Sequence, residues 1–199
     1  MAAAPKLYYW GIKARGQLPV ILAAFAQQPL DWEKNPDWPG LKAETNFGQL
    51  PYLVDNGLKI NQSMAIARYL SRKYGLQGDS DADFAISEQL IEETVDIFTA
   101  VAKANYSPEK AAAYTAVFET DVPKHFGFLE ALLPSASGFA SKITTGDLAV
   151  FSVINILLDL EPTVVDNFPK LKAFYAGLSE NAGIKSYLDQ NIPAYFKRD

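Results

Sequence analysis

The chain begins with a period-two pattern. Residues 6–10 place Leu7 and Tyr9 on one face and Tyr8 and Trp10 on the other, as a short strand does. The apolar run at 16–26, GQLPVILAAFA, predicts a helix, with Pro19 tolerable only near its first turn. Leu30–Glu33 reads as a weak second strand. Residues 36–45 are Pro-rich and irregular, with room for one helical turn at Leu41–Thr45. Two short strands, Tyr52–Val54 and Leu58–Ile60, flank Asp55-Asn56-Gly57, whose Asn and Gly tolerate the positive φ of a tight hairpin turn. Ser63 is the expected N-cap of a helix that carries Ile66, Leu70 and Tyr74 on one face and ends at Gly75. The resulting order is βαβαββα.

After a polar, Gly-containing stretch at 76–82 (LQGDSDA) the period becomes helical throughout. Residues 83–103 carry a stripe of Ile91, Val95, Phe98 and Ala102. Residues 108–133 predict a second long helix kinked at Pro123. Thr144-Thr145-Gly146-Asp147 is a capping box for a helix through Leu158. Residues 169–179 and 184–190 predict two shorter helices before the tail NIPAYFKRD. The pattern divides the chain into a mixed α/β domain at 1–75, a linker at 76–82 and an all-helical domain at 83–199.

Composition narrows the chemistry. A chain of 199 residues, 49% hydrophobic and 21% charged, suits one or two small domains with real cores. The net charge of −5 argues against nucleic acid or an anionic membrane surface as main partner. No long apolar stretch suggests a membrane span, and the start MAAAPK does not read as a signal peptide, so the expected compartment is the cytosol. The chain has no cysteine, which excludes disulfides, thiolate metal sites and a protein thiol nucleophile. Its one histidine, His125, excludes multi-His metal sites, and no G-x-S-x-G elbow accompanies it. No metal requirement is expected, and any thiol chemistry must use a thiol brought by a substrate. A strand that delivers Gln62-Ser63 to a helix N-terminus makes an anion site, because free N–H groups and the helix dipole point outward there.

Several motifs now converge. QSMAIARYL at 62–70, FGQLP at 47–51, KLYYWGIKARG at 6–16 and DWPGLK at 37–42 together resemble the cytosolic glutathione S-transferases, closest to the sigma class. The resemblance covers essentially the whole chain, by motif in the first half and by helix pattern in the second. It implies a thioredoxin-like α/β N-terminal domain, an all-α C-terminal domain carrying the electrophile site, a homodimer, and glutathione as co-substrate. It implies conjugation of glutathione to small hydrophobic electrophiles.

Free thiols titrate near 8.5, and the thiolate is the nucleophile. Lowering that pKa by about two units needs roughly 2.7 kcal/mol of preferential anion stabilisation, within reach of one or two charge-assisted hydrogen bonds. Related classes supply the donor from Tyr, Ser or Cys near the end of the first strand. Residues 6–17 hold no Ser or Cys, so the resemblance implies a tyrosine type. The family's tyrosine stands six residues before an Arg, a spacing that Tyr9 and Arg15 have and Tyr8 does not. Arg15 then tunes the thiolate by charge.

By the same resemblance, Ser63 and Gln62 hold the γ-glutamyl carboxylate. Leu50, ahead of a cis bond to Pro51, pairs its main chain with the cysteinyl unit. Trp38 and Lys42 hold the glycyl carboxylate, with Gln49 where the family often has Lys. Asp96 reaches the γ-glutamyl ammonium bound in the partner subunit, and Phe47 is a candidate aromatic key of the dimer. Ile12, Lys13, Gly16, Lys103, Tyr106, Ala149, Val153 and Phe196 line the electrophile site. Prostaglandin-isomerising relatives carry Trp where Lys103 aligns, which argues against that activity. Asp147 matches the family's buried folding motif. Glu92, Glu93 and Asp96 form an acidic face, read as a solvated or interface surface rather than a divalent-ion site. Two alternatives stay open: a non-catalytic binding or structural protein on this fold, and a glutathione-dependent isomerase or peroxidase.

Overall fold

The computed structural model describes residues 3–198. The N-terminal half builds a four-stranded mixed sheet in the order β2-β1-β3-β4. Strand β1 (Lys6–Tyr8) pairs in parallel with β2 (Asp31–Glu33) and antiparallel with β3 (Tyr52–Asp55), which forms a hairpin with β4 (Leu58–Asn61). The hairpin turn is the expected one: Asn56 and Gly57 take φ of 49° and 83°. Helix α1 (Gln17–Phe25) connects β1 to β2. A short α2 (Trp38–Leu41) runs into a 3-10 turn at Lys42–Glu44. Helix α3 (Ser63–Tyr74) closes the half, ending on Gly75 with φ 70° as expected. Leu7, Ile21, Leu22, Leu53, Ile66 and Leu70 fill the space between the sheet and α1 and α3 and are fully buried.

Four expectations in this half shift. Ladder pairing in β1 stops at Tyr8 rather than residue 10. The helical turn after β2 starts at Trp38, with Pro39 in its first turn, rather than at Leu41. β2 spans Asp31–Glu33, leaving Leu30 outside. The cap of α3 is Gln62, at φ 72°, rather than Ser63, which is already the first helical residue.

The C-terminal half is helical. Helix α4 (Asp81–Asn105) begins on Ser80, whose Oγ accepts from Asp83 N at 3.1 Å. The linker is therefore shorter than 76–82. The buried face of α4 is Leu90, Ile91, Thr94, Ile97, Val101 and Ala104, so Val95, Phe98 and Ala102 sit at its edge, half-buried. The expected long helix is broken into α5 (Lys110–Ala116), a π-helical turn at Val117–Asp121, and α6 (Val122–Leu132). The break lies before Pro123, not at it. Proline lacks an N–H and its ring presses on the preceding turn, and the widened π turn makes room for it.

Helix α7 (Thr145–Leu160) is the core of this half, and residues 145–157 along it are buried. Its capping box is present: Asp147 Oδ2 accepts from Thr144 N at 2.9 Å and Oγ1 at 2.6 Å, and Oδ1 accepts from Phe139 N at 2.8 Å. Gly146 lets α7 meet α4, since a Cβ there would stand 2.6 Å from Ser87 O. Helix α8 (Pro169–Ser179) follows. Then α9 (Ala182–Leu188) starts two residues earlier than expected, because Asn181 Oδ1 caps it by accepting from Gly183 N and Ile184 N at 3.0 and 3.2 Å.

Candidate functional site

Tyr9 leaves the end of β1 with its main chain pinned to β2. Its N–H donates to Glu33 O at 3.2 Å, and its carbonyl accepts from the Trp32 indole N–H at 2.9 Å. The ring is 5% exposed and packs edge-on to Trp10, with centroids 5.6 Å apart. Burial pushes the phenol up to about 12, against the opposing pull of the Arg15 main-chain N–H and the Arg15 charge. Tyr9 is thus a neutral O–H donor at physiological pH. That is the state needed to hold an anion with a hydrogen bond.

Arg15 stands between two cavities. On one side is an open cleft of about 500 Å³, lined by Trp10, Arg15, Trp38, Gln49, Leu50, Pro51, Gln62 and Ser63. On the other is a narrower apolar pocket that includes Arg15, Met64, Phe98, Ala149, Val153 and Ile156. The Arg15 guanidinium lies over the Phe98 ring at 4.8 Å, and among the described residues no carboxylate pairs with it.

The open cleft is rich in donors and no carboxylate lines it, although the chain is acidic. Among the described residues, the Ser63 hydroxyl, the Trp38 indole N–H and the Leu50 main chain have no hydrogen-bond partner within the chain. The Leu50-Pro51 peptide is cis. Gln62 Nε2 reaches Gln49 Oε1 at 3.4 Å. Lys42 is exposed one helical turn beyond Trp38, with its Cε 3.6 Å from where a Cβ of Gly48 would stand. Such a cleft suits a ligand with carboxylates and an exposed peptide edge.

Buried Asn61 holds the loop that presents Leu50. Its Oδ1 accepts from Asn46 N at 2.9 Å, and its Nδ2 donates to Gln49 O at 2.7 Å and Pro51 O at 3.3 Å. Asn61, Trp32 and Trp10 were not among the sequence candidates. Phe98 was read as core stripe, yet it forms the surface on which Arg15 lies. Only tertiary contacts reveal these four.

The expected electrophile-site residues fall into separate groups. Ala149 and Val153 line the apolar pocket. Phe196 is buried and meets Phe98 edge-on at 5.4 Å. Ile12 is half-buried. Gly16 lies under the Tyr9 ring and positions it. Lys13 is turned away, because its ammonium donates to Asp159 Oδ1 at 2.9 Å. Tyr106 is 70% exposed and shares a hydrogen bond with Tyr195 of the tail. Lys103 lines a groove with Asp96, Asp121 and His125 on the outer side of α4, away from both cavities. Asp96 is exposed there. Of the acidic face, Glu92 pairs with Arg68, and Glu93 Oε1 lies 2.7 Å from His125 Nδ1. Phe47 is 64% exposed.

Comparison with known proteins fits this geometry. Residues 7–72 match the model of the glutathione S-transferase N-terminal domain, and residues 95–191 match that of the C-terminal domain. A probable glutathione S-transferase 6 of Caenorhabditis elegans is 32% identical over 201 residues, covering 96% of this chain and 97% of that protein. The Onchocerca volvulus Pi-class glutathione S-transferase structure superposes with a TM-score of 0.85 at 25% identity, covering 95% and 94% of the two chains. The Fasciola hepatica sigma class structure gives 0.84 at 25% identity, covering 94% and 96%. The chain belongs to the glutathione S-transferase family.

Proposed function

We propose that this chain is a glutathione transferase in which Tyr9 holds the glutathione thiolate for attack on small hydrophobic electrophiles. The observation that carries the reading is the position of Arg15 and Tyr9. Arg15, a guanidinium that no carboxylate among the described residues pairs with, lines both the donor-rich cleft and the apolar pocket, and its main-chain N–H and charge act on the buried, neutral Tyr9 phenol beside it. The tripeptide lies in the cleft, with Ser63 and Gln62 on its γ-glutamyl carboxylate, Leu50 against its cysteinyl peptide group, and Trp38, Lys42 and Gln49 toward its glycyl carboxylate. The electrophile lies in the pocket of Phe98, Ala149 and Val153. Tyr9 donates its O–H to the sulfur, and Arg15 adds positive potential, so the thiol ionises below its ordinary value. Because the anion is held rather than covalently used, the proton is lost to solvent on binding and the tyrosine stays protonated.

The active form is a homodimer whose sites are completed by Asp96 of the neighbouring copy. Phe47 supplies exposed aromatic surface for that interface. The affinity is to the sigma class, supported by KLYYWGIKARG, DWPGLK and the likeness to the Fasciola hepatica protein. The compartment is the cytosol, and no metal takes part. Retention on glutathione resin, with thiol conjugation of a chromogenic chloronitrobenzene, tests the proposal. Retention without turnover would instead favour a non-catalytic binding protein.

A further inference from the structure

The segment that leads from Tyr9 into α1 carries Lys13, Arg15 and Gly16, and side chains of the helical half hold it at both ends. Helix α1 starts on Gly16, which has no side chain to cap it, so its first turn depends on other anchors. Gln17 provides one. Its amide is buried, and Nε2 donates to Asn155 Oδ1 of α7 at 2.8 Å. At the other end, Lys13 Nζ donates to Asp159 Oδ1 at 2.9 Å, and Lys13 N donates to Pro193 O at 2.9 Å. Asn155 and Asp159 stand four residues apart on α7 and so share one face of it.

We propose that α7 clamps residues 13–17 through Asn155 and Asp159, and that these two side chains are positioning residues for Arg15 and Tyr9. This rests on the reading that Arg15 and Tyr9 hold a glutathione thiolate.

The clamp has a rigid frame. Asn155 lies in the buried run of α7, and its own Nδ2 donates to Tyr175 Oη at 2.8 Å. The Tyr175 ring is in turn stacked on Phe151, with centroids 4.7 Å apart. The segment passes its position on directly. Arg15 lies midway between the two anchors, and Gly16 is pressed against the Tyr9 ring, where a Cβ would stand 2.3 Å from Cδ1. A segment that slips must move the guanidinium, the phenol or both. Neither anchor is needed for stability. A neutral buried hydrogen bond replaces bonds to water, and an ion pair with a side chain at the surface adds little. What both contribute is direction, to which catalysis is far more sensitive than folding is.

The test releases each end without leaving a buried donor unpaired. Gln17→Leu/Asn155→Leu makes both partners of the inner anchor apolar. Asp159→Asn removes the charge of the outer one at constant size. Three quantities are measured on the full-length protein: amide hydrogen exchange across residues 13–18, the pH dependence of thiolate absorbance of bound glutathione, and kcat for conjugation. A denaturant titration should show every variant folded, with α7 as protected from exchange as in the wild type. Each release should speed exchange in the segment about tenfold, raise the pH at which the bound thiol ionises, and lower kcat about threefold. Combining them should lower kcat about thirtyfold or more, because either anchor alone still fixes one end. Unchanged exchange in the combined variant would overturn the clamp. Faster exchange with the thiol ionisation and kcat of the wild type would overturn the positioning role. A wild type that leaves the bound thiol at its free value would overturn the thiolate reading itself, and the positioning role with it.

Discussion

Gly16 and Tyr9 are in contact without room for a side chain between them. A Cβ on Gly16 would overlap Cδ1 and Cγ of Tyr9 and stand 2.9 Å from its Cβ. The glycine that opens α1 therefore sets the height of the phenol over the site. Gly16→Ala should displace the ring, lowering kcat about tenfold or more while the KM for glutathione changes little. The strain should reduce stability by about 1–3 kcal/mol. Steady-state kinetics and a denaturant titration check both. An unchanged kcat would mean that the ring's position is set elsewhere.

Asp147 should be the most costly single carboxylate to remove. It is fully buried and accepts three hydrogen bonds that join the 139–144 loop to the first turn of α7. Asp147→Ala leaves those donors unpaired, with an expected loss of about 2–4 kcal/mol in equilibrium unfolding. The kinetic constants of the protein that remains folded should be unaltered.

Acid sensitivity should trace in part to Asp83. The Ser141 main-chain N–H, the Ser141 hydroxyl and the Asp79 N–H hold its carboxyl well below the usual carboxylate range. A carboxyl with a depressed folded-state pKa stabilises the fold above its unfolded pKa, near 4, and that contribution is lost as pH falls further. Asp83→Asn should lower stability at neutral pH and flatten its decline below about pH 4. Parallel curves for the two proteins would contradict this.

Asp96 tests the dimeric site. It is exposed on α4, on the side away from both cavities of its own chain. If it serves the neighbouring subunit's γ-glutamyl ammonium, Asp96→Asn should raise the KM for glutathione about tenfold and leave that for the electrophile unchanged. Sedimentation must show the variant still dimeric. An unaltered glutathione KM in that dimer would remove Asp96 from the site.

What the chain discloses before folding depends on the range of the interaction. The Asn56-Gly57 turn, the Gly75 cap and the Thr144–Asp147 box depend on neighbours within a few residues, and each was legible. So were the element order βαβαββα and the motif that puts Gln62-Ser63 at a helix start. The π turn before Pro123 was not, because proline signals a break without specifying which side absorbs it. The ion pair of Lys13 with Asp159 was not legible, because it joins residues far apart in sequence. Phe98 looked like core because its period matches a buried stripe, and only the approach of Arg15 makes it part of the site.

The central claim is that Tyr9 holds the thiolate by donating from a phenol that stays protonated. The direct measurement is the pH dependence of thiolate ultraviolet absorbance of glutathione bound to the wild type and to Tyr9→Phe, with Tyr8→Phe as control. The wild type and Tyr8→Phe should ionise bound thiol about two units below the free value near 8.5. Tyr9→Phe should return it toward the free value, with kcat for conjugation down about a hundredfold. The same low thiol pKa in Tyr9→Phe as in the wild type would contradict the account.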